Sequence, residues 1–238
     1  MMESFLATRT SRVRQLYNFR LPWYSTVTMR LKLLACEILY REMSALVADS
    51  PHQVDVEFLP MQFHSIGRKR MKNRLAEYLA TVDEDSFDAI LLGYALCSGG
   101  ITGLSANKIP LVVPRAHDCI TLFLGSRKRY EEYFFANGGT YFATTGWFEQ
   151  DNAFSYDTEL MPFYNKLAFI EMGIEPDGTF EQRAKEIAEK RQWQFEKLIG
   201  DLTLLRQLVN GDWNEDFLIV PPGEQIRQSY DDGVIECG

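Results

Sequence analysis

Ala89-Ile-Leu-Leu-Gly-Tyr-Ala-Leu-Cys97-Ser-Gly-Gly-Ile-Thr-Gly103 is a charge-free run that reaches a cysteine and then opens into a glycine-rich turn. A short apolar run closed off by glycines reads as a strand buried on both faces, as in the middle of a parallel sheet. Two other stretches repeat the grammar. Leu31-Lys-Leu-Leu-Ala35 leads into Cys36, and Leu111-Val-Val-Pro-Arg-Ala-His-Asp118 leads into Cys119. In an open α/β sheet, ligands bind beyond the carboxyl ends of the strands. A thiol that only fills space has no preference for one end, so three at the same end point to a site.

The pattern extends in both directions. Glu37–Ala48 reads as a helix with Ile38, Leu39, Met43, Leu46 and Val47 facing inward, broken at Ser50-Pro51. Gln53–Leu59 alternates Val54, Val56 and Phe58 with polar neighbours, a strand stopped by Pro60. Arg68–Val82 is a basic amphipathic helix, Asp88–Leu92 the third strand and Pro110–Pro114 the fourth. Asp118–Phe135 is helical with a break near Gly125, and Gly138-Gly139 leads into a fifth strand, Thr140–Thr144. Further on, strands at Lys166–Glu171, Trp193–Leu198 and Phe217–Val220 alternate with helices at Thr179–Arg191 and Asp201–Val209. Asp201 caps the last helix and Asn210-Gly211 ends it.

Alternation of this kind predicts an α/β fold, an open and mostly parallel sheet with right-handed crossovers and helices on both faces. The expected organisation is two Rossmann-like lobes. Residues 29–144 carry the cysteines, 145–165 bridge, 166–225 form a smaller lobe and 226–238 a C-terminal tail. Residues 1–28 stand outside this fold. They hold Arg9, Arg12, Arg14 and Arg20 against Glu3 and carry +3, leaving −11 for the rest. Such composition suits an organellar transit peptide or an extended gene start, since Met29 opens directly into the first strand.

Hydrophobic content of 46% and charged content of 24% are those of an ordinary globular protein. A net charge of −8 argues against general nucleic-acid binding, and no apolar stretch is long enough to span a bilayer. Four cysteines in 238 residues make no disulfide framework. With no secretory signal visible, free thiols in a reducing, cytoplasmic setting are expected.

In the common strand order 2-1-3-4-5, neighbouring strands lie about 4.8 Å apart, which brings Cys36, Cys97 and Cys119 out side by side. Each alone can be a small core hydrophobe. Together they form a candidate metal site, with His117 or His64 to complete a tetrahedral set. Three sulfurs and a nitrogen suit zinc, and three sulfurs with an open position also suit an iron–sulfur cluster. Glu37, beside Cys36, either stabilises a helix start or serves as a general base. Arg115 can lower a thiol pKa or pair with an anionic group, and Asp118 either caps the next helix or orients His117. Ser98, Gly99 and Gly100 offer backbone N–H groups to a bound group. Their loop has neither the Gly-Lys-Ser/Thr of a phosphate loop nor the placement of a dinucleotide fingerprint. Cys237 sits near the chain end, where mobility is the base expectation.

Leu-Ala-Cys36-Glu37, Leu-Leu-Gly-Tyr-Ala-Leu-Cys97 and Pro-Arg115-Ala-His117-Asp118-Cys119 with Leu-Gly-Ser-Arg127 together resemble an uncharacterised bacterial and archaeal family, domain of unknown function 1638. Thr145-Gly-Trp147, Gly200-Asp-Leu and Phe217-Leu-Ile-Val-Pro-Pro-Gly223 are similar to its later segments, so the resemblance covers residues 29–225. One departure is Cys-Ser-Gly-Gly, where the family pattern is Cys-Gly-x-Gly. The family is often encoded beside corrinoid proteins and their methyltransferases. The resemblance therefore implies a thiol and metal site in corrinoid or one-carbon metabolism, in a small transferase or an accessory protein. The implied partner is a small molecule or a corrinoid protein. Two alternatives stay open: a cofactor-binding or delivery module, and a metal-free enzyme with Cys119 or Cys97 as nucleophile and His117 as base.

Overall fold

The computed structural model describes residues 27–64, 66–150, 163–175, 177–231 and 233–238, with only the backbone of residue 64. Four strands of the first half, β1 (Arg30–Cys36), β2 (Gln53–Leu59), β3 (Ala89–Gly93) and β4 (Leu111–Pro114), lie in one sheet. A late strand, β8 (Phe217–Val220), completes it in the order β2-β1-β3-β4-β8. The first four run parallel and β8 is antiparallel to β4. The strands at the centre, β3 and β4, are apolar and buried at every position, whereas the edge strand β2 alternates. That is what burial on two faces against one requires. The register sets Gly93 beside Ala35, where a Cβ on Gly93 would stand 2.6 Å from the Ala35 Cβ. Only glycine fits there.

Among the described residues seven α-helices connect the strands: α1 (Tyr40–Ala48), α2 (Arg68–Thr81), α3 (Cys119–Leu124), α4 (Arg127–Ala136), α5 (Thr145–Glu149), α6 (Thr179–Arg191) and α7 (Thr203–Asn210). The break expected near Gly125 is real. Gly125 takes a left-handed φ of 77° at the end of α3, and Ser126 restarts the chain by capping Arg129 N. Glu37–Leu39 is a short 3-10 turn ahead of α1, so the first expected helix begins tighter than an α-helix.

The strand at Thr140–Thr144 (β5) forms as expected but does not take the fifth place in this sheet. It pairs with β6 (Lys166–Glu171), which pairs with β7 (Gln194–Ile199), in a second, all-parallel sheet. The sheet pairing also departs from the division expected at residue 166, because residues 203–220 return to the first sheet. The physical reason lies in α7. Its buried Leu204, Leu205, Leu208 and Val209 belong to the core of the five-stranded sheet, and Trp213 is held just after it by a 2.9 Å bond from Nε1 to Leu208 O. The chain is thereby delivered to the free edge of β4. A smaller core of Ala143, Phe148, Leu167, Phe169, Ala184 and Ala188 supports the second sheet.

Residues 226–228 and 235–237 are not part of a loose tail. They form a hairpin of β9 (Ile226–Gln228) and β10 (Ile235–Cys237), anchored by the fully buried Ile226 and Ile235. Among the described residues no helix is long and apolar enough to cross a membrane.

Candidate functional site

Parallel strands give one end of the sheet a row of chain exits, and the thiols occupy three of them. Cys36 is the last residue of β1, 2% exposed. Cys97 follows β3 by four residues, and two backbone bonds fix its place. Leu96 N–H donates to Ala116 O at 2.9 Å and Cys97 N–H to His117 O at 3.0 Å. The segments leaving β3 and β4 thus run side by side, and Cys97 comes alongside the start of α3, where Cys119 is buried. Asp118 makes that start possible. Its Oδ1 accepts from Ile120 N and Thr121 N at 3.0 and 3.3 Å, and its Oδ2 from the Tyr130 hydroxyl at 2.9 Å.

The three sulfurs feel one another. Burial pushes the Cys36 and Cys97 thiols up to about 12, and Cys119 well above the ordinary thiol range. Neighbouring charge acts in the same direction: Glu37 on Cys36, Cys36 on Cys97, and Asp118, Cys97 and Cys36 on Cys119. At neutral pH all three are protonated. Tyr94, one residue past β3 and 1% exposed, presses its hydroxyl on the Cys36 thiol without forming a well-shaped hydrogen bond. It escaped the sequence reading, although a tyrosine inside an otherwise aliphatic run was visible. Glu42 was missed too. Its position four residues after Ile38, on the inward stripe of α1, was the available signal.

The backbone at Cys97 is unusual. Cys97 and Ser98 have φ of 46° and 57°, and Gly99 follows at 86°. Non-glycine residues held in this region cost on the order of 1–3 kcal/mol each. The turn closes on itself: Gly99 N–H donates to Leu96 O and Gly100 N–H to Cys97 O. These amides hold the loop's shape rather than facing outward. Arg68 lies over the turn, so close that a Cβ on Gly99 would meet its Nε at 2.5 Å.

The remaining expected site residues are placed as follows. The His117 ring is exposed and stacks on Tyr130 with centroids 6.1 Å apart. Asp118 caps the helix, the plainer of its two expected roles. Glu37 Oε2 accepts from Met61 N at 3.3 Å. Arg115 is occupied by the C-terminal hairpin: its Nε donates to Phe217 O at 3.3 Å, and its Nη1 to Gly233 O at 3.0 Å and to Ile235 O. Cys237, on that hairpin, points its thiol at Ile219 O. The His64 side chain lies outside the described residues. Among the described residues, no three His, Cys, Asp or Glu side chains are grouped closely enough to hold a metal ion. What the arrangement offers is three water-shielded, protonated thiols at one end of the first sheet.

No curated protein and no solved structure matches this chain. A family model described as a protein of unknown function (DUF1638) matches residues 58–209, which includes Cys97, Arg115, His117 and Cys119 but not Cys36 or Glu37. The matched span is shorter than the 29–225 of the resemblance but still exceeds half the sequence, and the chain belongs to the DUF1638 family of proteins of unknown function.

Proposed function

We propose that the protein binds a soft metal, zinc or the iron of an iron–sulfur cluster, through Cys36, Cys97 and Cys119. We further propose that it works in corrinoid or one-carbon metabolism, as a small methyl-transfer enzyme or an accessory protein. One observation carries the metal reading: thiols that follow three separate strands reach one rim, near enough that Cys36 raises the pKa of Cys97 and both raise that of Cys119. The metabolic setting rests on the family resemblance alone.

The donor set fits the chemistry of such a metal, since thiolates are its preferred ligands. The present spread of the side chains does not fit it as it stands, so binding must draw the sulfurs together. A bound zinc would supply Lewis-acid activation of a thiol or another nucleophile. The protein's own contribution is to keep water from Cys36 and Cys119, to set Tyr94 against the Cys36 sulfur and to anchor Cys119 through the Asp118 cap. The metal-free nucleophile reading has less support. An activated cysteine needs a depressed pKa, and here burial and neighbouring carboxylates raise it.

The test is elemental analysis of anaerobically purified protein beside the Cys97→Ser variant. About one zinc, or the iron of one cluster, per wild-type chain is expected, with a clear loss in the variant. A wild-type value far below one equivalent, or an unchanged variant, removes the metal. Titration with methylcobalamin followed by absorbance then separates a corrinoid role from any other.

A further inference from the structure

Glu42 lies on the inward face of α1 and is 1% exposed, yet its Oε2 meets no hydrogen-bond partner. A buried carboxylate without a compensating donor is costly when ionised. The charges acting on it come from three places: Arg41 on α1 itself, Glu149 at the end of α5, and Glu175 in the turn after β6. Arg41 gives little relief, because it is already engaged by Glu149, with Nε donating to Oε1 at 2.8 Å. Glu175 is equally fixed. It accepts from Met172 N at 2.9 Å, Ile174 N at 3.1 Å and the Thr145 hydroxyl at 3.2 Å. Two carboxylates are therefore held in place next to a third.

The location gives this arrangement its meaning. α5 follows β5 and the Glu175 turn follows β6, so both stand at the carboxyl ends of the second sheet, while α1 follows β1 of the first. The contact is tight at the 3-10 turn that leads into α1, since a Cβ on Gly146 of α5 would stand 2.0 Å from Ile38 O. Thr144 and Thr145, beside Gly146, are buried.

We propose that Glu42 is a proton-operated latch between α1 and the carboxyl end of the second sheet. Protonated, it lets α5 and the Glu175 turn rest on α1. Ionised, it is repelled chiefly by Glu175, the charge of Glu149 being met in part by Arg41, and the contact loosens. Burial first, then Glu175 and Glu149, raise its pKa to about 7, so the latch works across the neutral range. The closed form belongs to the acid side and the loosened form to the alkaline side.

Hydrogen exchange of the full chain at pH 6 and pH 8, corrected for the intrinsic pH dependence of exchange, tests this. Amides of residues 144–149 and 172–175 are expected to exchange about tenfold faster at pH 8 in the wild type, while those of β3 stay unchanged. In the Glu42→Gln variant the two pH values should give equal protection. Equal protection in the wild type, or a pH response that survives in Glu42→Gln, overturns the proposal. Should that variant fail to fold, Glu175→Gln serves instead. Its loosening should be smaller and complete at lower pH, because a charge that raises the Glu42 pKa is gone, and an unchanged pH response refutes the latch.

Discussion

Replacing Glu42 by glutamine keeps the shape of the side chain and removes its charge, so the variant measures what burying that charge costs. The carboxyl is moved from an ordinary 4.5 to about 7, mainly by desolvation. At about 1.4 kcal/mol per tenfold in affinity for the proton, the ionised form costs close to 3 kcal/mol. The sign follows from linkage. The folded chain holds this proton more tightly than the unfolded one, so the stability that Glu42 contributes is fully present below pH 4.5 and is lost as pH rises toward and through 7. Glutamine has no such decline. Glu42→Gln is therefore expected to match the wild type near pH 4.5 and to exceed it by about 2–3 kcal/mol at pH 8.5, the lower figure allowing for local relaxation. In a domain of this size that is about 5–10 °C in melting temperature at the higher pH. Urea unfolding at four or five pH values gives the free-energy curve directly. A variant less stable than the wild type at pH 8.5, or an offset independent of pH, refutes the reasoning. The measurement concerns the buried charge alone and holds whether or not the contact with the second sheet moves.

Three other outcomes follow from single contacts. Gly146→Ala drives a methyl into Ile38 O and should destabilise by about 2–4 kcal/mol in urea, whereas Gly138→Ala, with nothing within 4 Å, should change stability by less than about 0.5 kcal/mol. Arg115→Met removes the donors to Phe217 O, Gly233 O and Ile235 O, and limited proteolysis should then cut within residues 224–238 while the remaining fold survives. Resistance equal to the wild type would show that the hairpin does not depend on Arg115. Ser98→Gly relieves a left-handed residue whose side chain is exposed and should stabilise by about 1 kcal/mol, seen as a higher urea midpoint. A loss of stability there would mean the serine side chain earns its place.

How much of this was legible depends on whether the deciding interaction was local. β2, β5, β6, α6 and β8 form over the very residues the sequence marks, because alternation, apolar runs and Gly or Pro stops are properties of neighbouring residues. The partner of β8 was not legible. Phe217-Leu-Ile-Val says that a strand is buried, but the sheet it joins is decided by the packing of α7 and Trp213, far away in the core. The C-terminal hairpin was invisible for a similar reason. Its strands are three residues each, and they are held by Arg115 and by backbone bonds between Ile226 and the Gly103-Leu104 turn. Within the site, the thiol positions could be read from strand ends. The duties of Arg115 and Asp118 could not, because a guanidinium or carboxylate in a ligand-rich stretch looks the same whether it holds a ligand or its own backbone.

The turn at Cys97 shows which thiol ordinary packing explains least. Cys36 and Cys119 are enclosed, and as small apolar groups they would serve the core without any chemistry. Cys97 keeps part of its surface open and sits at a φ of 46°, where glycine would be relaxed and a side chain is strained. Position 98, where the family pattern carries glycine, is also left-handed, so the chain here tolerates two strained residues in succession. The strain persists because Leu96, Cys97, Gly99 and Gly100 are all tied by backbone bonds and Arg68 closes over the turn. Those ties fix Cys97 alongside the segment that leads into α3. Core packing alone does not call for this strain, since a glycine would be relaxed there. Cys97 is therefore the residue whose replacement separates a site from a core.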